Sequence, residues 1–469
     1  MGVEYDSDSR NIDRPMYQKK LHSAVSFLSC VLALLATPEL LAADGPWRLD
    51  SALNTSDRLT ISGSQRVRYE TIKDNVFPGT SPDDHALILR THLNFQYSEE
   101  KFAAQVEFMD ARQEWLDDDS RINNGWVDAL EFLQANLIFR YGADNDSWAK
   151  VGRLTTDWGS RRFIARNRFR NAINAFDGIE VHHELANGDY FQLLLSQPVS
   201  RLPSDRIGLL DNERKHDKSN DAQQFYALQY TLPKLIPGVT TDLNYFALHE
   251  YDKNGIATRN RKFDSIGFRM RSAPAAGEFD FEIESLFQFG TNRGSTSAAA
   301  QTDLDHRAHF QYLGVGYSFP GRYNLRTVFE FDYGSGDKDP FDLDYERFDS
   351  LFGVGTPEVG PVGFYEPFNR SNMITPGIRL FADLNDNIDF MASYRHFWLA
   401  ENRDSWGKTG LRDTTGNTDS YLGQHLELRL RWDVIPGNLR IEAGSVFLNA
   451  ENLSTNNLRY GYLATTLSF

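Results

Sequence analysis

Between Gly152 and Arg170 the chain reads GRLTTDWGSRRFIARNRFR, which sets Arg153, Arg161, Arg162, Arg166, Arg168 and Arg170 beside a single acid, Asp157. A guanidinium presents a planar fork of donors that matches carboxylate or phosphate, and it gives up its water more readily than an ammonium. The preference runs through the chain, which carries 37 Arg against 12 Lys. Further arginines fall at alternate positions: Arg66 and Arg68, Arg90, Arg269 and Arg271, Arg326, Arg379, and Arg429 with Arg431. A ladder of this kind suits an anionic solute, provided one face of each element carries it.

The elements that position these residues have a two-residue period. Leu426, Leu428, Leu430 and Trp432 alternate with Glu427, Arg429 and Arg431, and Phe279, Phe281 and Ile283 alternate with Asp280, Glu282 and Glu284. Alternation marks strands with one apolar and one polar face. Eighteen such segments begin near Arg58, Ala86, Lys101, Leu130, Trp148, Phe176, Asp189, Gln223, Thr240, Asp264, Glu278, Ala308, Tyr323, Pro376, Ile388, Gly423, Leu439 and Leu458. After even-numbered strands the connections are compact, as in Asn187-Gly188 and Pro436-Gly437-Asn438; after odd-numbered ones they are long, as in 156–175, 199–221, 334–375 and 401–422. A soluble sandwich has no reason to keep that rhythm. It is the pattern of an all-β transmembrane antiparallel barrel over residues 58–469, with short periplasmic turns and long extracellular loops. Barrels of this size enclose an aqueous channel, so transport across the outer membrane of a Gram-negative bacterium is the expected task.

The remaining composition narrows the class. No run of 18 apolar residues occurs, which excludes a helical membrane protein, and a net charge of -16 argues against a nucleic-acid binder. Lys19-Lys20, the apolar stretch 24–36 and Leu41-Ala42-Ala43 have the order of a secretory signal, read as residues 1–42 with a possible start at Met16. Residues 43–57 then form a short periplasmic segment, too short for a plug domain. The sole cysteine, Cys30, lies in the signal.

Other readings of the charged residues stand beside the ladder. The arginine cluster either folds into the lumen as a constriction, touches lipopolysaccharide phosphates, or pairs with acids such as Glu180, Glu184, Glu282, Glu284 and Glu330. Loop 334–375 holds eight acids and three bases, either a solvated face or a divalent-cation site. His182-His183 and His425 have no persuasive nucleophile beside them, and His306-Arg307-Ala308-His309 lacks the carboxylates of a metal site. The chain therefore reads as a non-enzyme without cofactor or metal.

Several motifs are more specific. Phe331-Asp332-Tyr333-Gly334-Ser335-Gly336-Asp337, Arg347-Phe348-Asp349-Ser350-Leu351-Phe352-Gly353, Arg370-Ser371-Asn372 and Pro376-Gly377-Ile378-Arg379-Leu380 occur in order. Tyr394-Arg395 with Trp398-Leu399-Ala400, Thr409-Gly410-Leu411-Arg412-Asp413 and Gly423-Gln424-His425-Leu426-Glu427 follow them, with Gly152-Arg153 and Asn174-Ala175-Phe176-Asp177-Gly178 upstream. This set resembles the alginate export family of outer-membrane proteins. The resemblance implies a monomeric 18-stranded barrel whose electropositive lumen passes an anionic polyuronate, and a periplasmic scaffold that feeds it. It also implies that Arg153 and the arginines after it contribute to the pore lining. The expected pore-lining set is Arg66, Arg68, Arg90, Arg153, Arg161, Arg162, Arg166, Arg170, Arg379, Arg395, Arg429 and Arg431. An anion-selective porin for small organic or sugar acids is the alternative.

Overall fold

The computed structural model describes residues 45–469 except 254–256, 298–299 and 356–357. The signal assigned to residues 1–42 lies outside the described residues. Eighteen long strands follow one another around a closed ring: β1 Leu59–Lys73, β2 Asp84–Ser98, β3 Phe102–Glu114, β4 Asp128–Tyr141, β5 Ser147–Leu154, β6 Phe176–Glu184, β7 Tyr190–Ser200, β8 Gln223–Ile236 and β9 Val239–Glu250. The second half is β10 Lys262–Ser272, β11 Phe279–Asn292, β12 Leu304–Ser318, β13 Arg326–Gly334, β14 Met373–Asn385, β15 Ile388–Trp398, β16 Tyr421–Ile435, β17 Leu439–Ala450 and β18 Asn457–Ser468. Each strand pairs antiparallel with the next, and β18 returns to β1 over Ser64↔Ser468 to Lys73↔Arg459. Two-residue strands at Lys218–Ser219 and Asp344–Tyr345, and the short helices Leu49–Ala52 and Arg206–Leu210, lie outside the ring.

Turn chemistry sets the short end. At the β16–β17 connection Pro436 precedes Gly437 at φ 80°, and the Asn438 amide donates to the Ile435 carbonyl at 2.9 Å, the type II arrangement that calls for glycine. The seam is closed by the last residue: Phe469 and Gly63 exchange two backbone hydrogen bonds of 3.0 and 2.8 Å. A side chain at Gly63 would collide with the Phe469 ring and the His92 carbonyl, so the terminal aromatic and this glycine fit one another.

The two faces separate by chemistry. Leu137, Val151, Ile179, Leu195, Leu243, Phe287 and Leu430 stand exposed on the outside, forming the apolar band that meets lipid. Buried polar and charged groups fill the inside. In the long-loop half the lumen also holds apolar packing, because loops fold inward. Phe364, Tyr365, Phe368 and Trp406 pack on inward residues of β1, β2 and β16–β18, while Trp158, Phe163 and Ile164 pack with Phe225, Phe246, Phe310 and Phe348.

Candidate functional site

Two inward loops build the partition across the lumen. Loop 155–175, after β5, meets loop 335–372, after β13, in a short parallel bridge at Ile164↔Phe352. Around it Phe352 N–H donates to the Phe163 carbonyl at 2.9 Å and Val354 N–H to the Arg161 carbonyl at 3.1 Å. The partition leaves a larger cavity of about 750 Å³ toward the short turns and a smaller one of about 270 Å³ among the loops. Asn167 and Val354 line both, which places them in the dividing layer.

Eight arginines line the larger cavity: Arg66, Arg68, Arg90, Arg161, Arg168, Arg429, Arg431 and Arg440, against the acids Asp157, Glu427, Asp433 and Glu442. Some serve as anchors. Arg66 Nη1 and Arg90 Nη1 each donate to the Arg168 carbonyl at 2.9 Å, and Arg68 Nη1 donates to the Phe169 carbonyl at 2.6 Å. Three strand arginines thus hold one loop segment by its carbonyl oxygens. Asn171 completes the tether, its amide donating to the Leu89, Arg112 and Trp126 carbonyls. Arg431 pairs with Glu442, and Arg440 with Asp433 at 2.7 Å. The Arg161 and Arg429 side chains make no ion pair among the described residues, and both border the cavity.

Other members of the expected set are elsewhere. Arg162 is buried against Glu282, Glu284 and Glu358 at 2.5, 2.7 and 2.8 Å. Arg395, fully buried, holds Glu330 at 2.7 Å and Asp332 at 2.8 Å, and Arg379 joins the same Glu330 at 3.1 Å. Arg269 and Arg370 extend this web through Glu282 and Glu358. Arg166 is paired with Glu107 at 3.0 Å, and Arg170 borders the smaller cavity. Arg162, Arg166, Arg379 and Arg395 therefore form internal ion pairs and line neither cavity, because acids on neighbouring strands or loops reach them first.

Arg153 departs furthest from the expectation and does not face the lumen. It lies directly across from Asp177 on the same sheet face as the lipid-facing Val151 and Ile179, and its guanidinium is bidentate to Asp177 at 2.8 and 3.0 Å. Its inward neighbours are Leu154 and Phe176, both fully buried.

The acidic excess of loop 335–372 serves docking. Asp349 pairs with Arg261 at 3.1 Å, Asp339 with Arg403 at 3.0 Å, Glu358 with Arg162 and Arg370, and Glu366 with Lys408. Burial opposes the charge of Glu358, yet the guanidiniums of Arg162 and Arg370 hold its carboxyl below the usual range. Asp337 is the opposite case, pushed up to about 6 by burial and then by Asp404. An acid raised on docking costs nothing below its free value near 4 and opposes docking once it ionises, so this loop loosens as pH rises from 4 through 6. Asp337→Asn is expected to remove that slope and tighten the loop by about 1 kcal/mol at pH 7. Limited proteolysis within 335–372 as a function of pH measures it; an unchanged slope in the variant would refute the assignment.

His182 stacks on Trp148 and His183 on Tyr141. His306 is buried beside Gln288 and Tyr345, while His309 stacks on Phe287 and Tyr333, so the pair three residues apart faces opposite sides of the wall. Glu358 and Arg370 tie the partition together; Arg370 stands in the Arg370-Ser371-Asn372 motif and Glu358 among the acids of loop 334–375, but loop residues carry no parity from which to read their pairing.

The family model for alginate export matches residues 57–450. Among solved structures the barrel superimposes on Pseudomonas aeruginosa OpdK with vanillate, at a TM-score of 0.57 and 12% identity over 88% of this chain and 98% of that one. Pseudomonas aeruginosa OccK5 (OpdH) gives 0.56 and 13% over 88% and 98%, and Acinetobacter baumannii OccAB3 gives 0.56 and 13% over 88% and 99%. At these identities the likeness is one of fold, that of outer-membrane porins. No curated protein sequence matches the chain.

Proposed function

Since the chain belongs to the alginate export family and is an outer-membrane channel, we propose that it exports an anionic polysaccharide, an alginate-like polyuronate, by diffusion along its arginine-rich wall. The observation that carries this reading is the larger cavity, where arginines outnumber acids and Arg161 and Arg429 make no ion pair among the described residues. Each uronate carboxylate exchanges water for one or two guanidinium contacts as it passes. Asp157, Asp433 and Glu442 stop the polymer from lodging, since they already hold Arg168, Arg440 and Arg431. Many weak sites in series bind firmly enough to admit the chain and loosely enough to release it.

The working unit in this reading is a monomer, fed by a periplasmic scaffold at the short-turn end and surrounded by lipopolysaccharide and outer-membrane lipid. A second reading, a porin for small organic or sugar acids, is favoured by the inward loops that separate one lumenal cavity from another and by the fold shared with OpdK, whose structure holds vanillate.

Planar-bilayer conductance tests both. The expected result is an anion-selective current blocked by oligomeric mannuronate and unaffected by a neutral glucan of equal length. Block by monomeric acids with no additional effect of oligomer length supports the small-acid porin. Cation selectivity, or equal block by both sugars, overturns the arginine mechanism.

A further inference from the structure

At the long-loop rim, the start of β4 and loop 201–222 bring together Asp128, Glu131 and Asp217, each offering an oxygen within 4.8 Å of the others. Two of the three carboxylates have ordinary partners. Glu131 Oε2 accepts from the Asp217 amide at 2.9 Å, with His216 Nδ1 3.2 Å away, and its Oε1 accepts from the Phe132 amide at 2.8 Å. Asp217 Oδ1 accepts from the Leu202 amide at 2.8 Å.

Asp128 has no such provision. It is 2% exposed, and its Oδ1 is sealed from solvent without a hydrogen-bond partner. Two guanidiniums lie in the neighbourhood without a hydrogen bond to Asp128 among the described residues: Arg153 holds Asp177 and pairs with Glu131 at 3.7 Å, and Arg201 donates to the Asn124 carbonyl and to Asn174. A buried carboxylate oxygen that accepts nothing is costly, and the ligand atoms grouped with those of Asp128 belong to two further carboxylates.

We propose that Asp128, Glu131 and Asp217 bind a divalent cation, Ca²⁺ in preference to Mg²⁺, which fastens loop 201–222 to the barrel rim. The donor set is all carboxylate oxygen, the chemistry of hard cations. Ca²⁺ accepts several carboxylates in flexible geometry, whereas Mg²⁺ demands a near-ideal octahedron and keeps most of its waters, so three protein carboxylates drawn from a strand and a loop favour Ca²⁺. Three oxygens within 4.8 Å of one another leave room for such an ion, with water completing its shell. An entry path exists, since Asp217 is only partly buried and His216 is exposed. The cation would secure the far end of a loop whose near part is already fixed by Asn212, which accepts from the Gln113 amide at 2.9 Å and donates to the Gln113 carbonyl at 2.7 Å. This site is independent of what passes through the lumen.

The test uses the folded full-length barrel in detergent, stripped with EDTA, then titrated with CaCl₂ or MgCl₂ by calorimetry. Amide hydrogen exchange of loop 201–222 is followed in parallel. The expected result is a Ca²⁺ site that slows exchange over this loop, binds Mg²⁺ more weakly, and loses at least tenfold in affinity in both Asp217→Asn and Asp128→Asn. Should the buried Asp128→Asn fail to fold, as judged by heat-modifiable migration, the loop variant Asp217→Asn carries the test alone. Exchange indifferent to Ca²⁺, or Asp217→Asn binding as tightly as the unmodified chain, overturns the proposal. So does protection that follows acidification and not Ca²⁺, because the carboxylates would then share a proton.

Discussion

Replacing Arg161 and Arg429 together with glutamate is expected to turn an anion-selective conductance into a cation-selective one. Both side chains border the larger cavity, and neither makes an ion pair among the described residues. The exchange reverses two charges in a confined, partly dehydrated space, where lining charge governs which ions enter. A fall of at least tenfold in the anion-to-cation permeability ratio is expected, equivalent to about 1.4 kcal/mol. The reversal potential under a salt gradient reads it directly. Lysine at both positions keeps the charge and should keep the selectivity, while losing the planar fork and with it part of the block by mannuronate. Anion selectivity that survives the glutamate pair would show that these arginines do not set it.

A different kind of effect is expected from Glu358→Ala. This buried carboxylate bridges Arg162 of one inward loop and Arg370 of the other loop's own strand-proximal end. Among the described residues, truncation leaves Arg370 the Val354 and Gly355 carbonyls, while Arg162 keeps Glu282 and Glu284. Breaking a buried ion pair from one side costs about 3–5 kcal/mol. The loss falls on the docking of loop 335–372 and not on the strand ladder. Single-channel conductance should therefore rise, and the loop should become sensitive to protease, while the temperature of the heat-modifiable mobility shift barely moves. Unchanged conductance with an equally protected loop would mean that the partition stands without Glu358.

How far the sequence could be read follows from which signals are local. Strand positions were legible because alternation and turn length are local, and the structure places each strand start within a few residues of its expected position. Arg66, Arg68, Arg90, Arg429 and Arg431 were assigned to the inside by parity alone, and they border the cavity. Parity also turns Arg379 and Arg395 inward, but it cannot say that Glu330 and Asp332 lie within reach and bury them. Arg153 shows the cost of carrying a motif over without the face: Val151, two residues earlier on the same strand, already marks the outer side. The meeting of loops 155–175 and 335–372 was illegible, because it depends on a fold in the lumen that no periodicity records. Their acids and arginines balance across nearly 200 positions of sequence.

The charges of the wall are unevenly distributed around its circumference. From β10 to β15 the guanidiniums of Arg269, Arg379 and Arg395 are matched by Asp242, Glu282, Glu330 and Asp332, whereas from β16 through β2 Arg66, Arg90 and Arg429 make no ion pair among the described residues and stand beside the paired Arg68, Arg431 and Arg440. An electric field therefore runs across the bore as well as along it. A solute with its carboxylates on one edge and its hydroxyls on the other would experience a torque as well as a pull. It would enter rotated, with one edge tracking the cationic arc and the other sliding past a wall that exerts little grip.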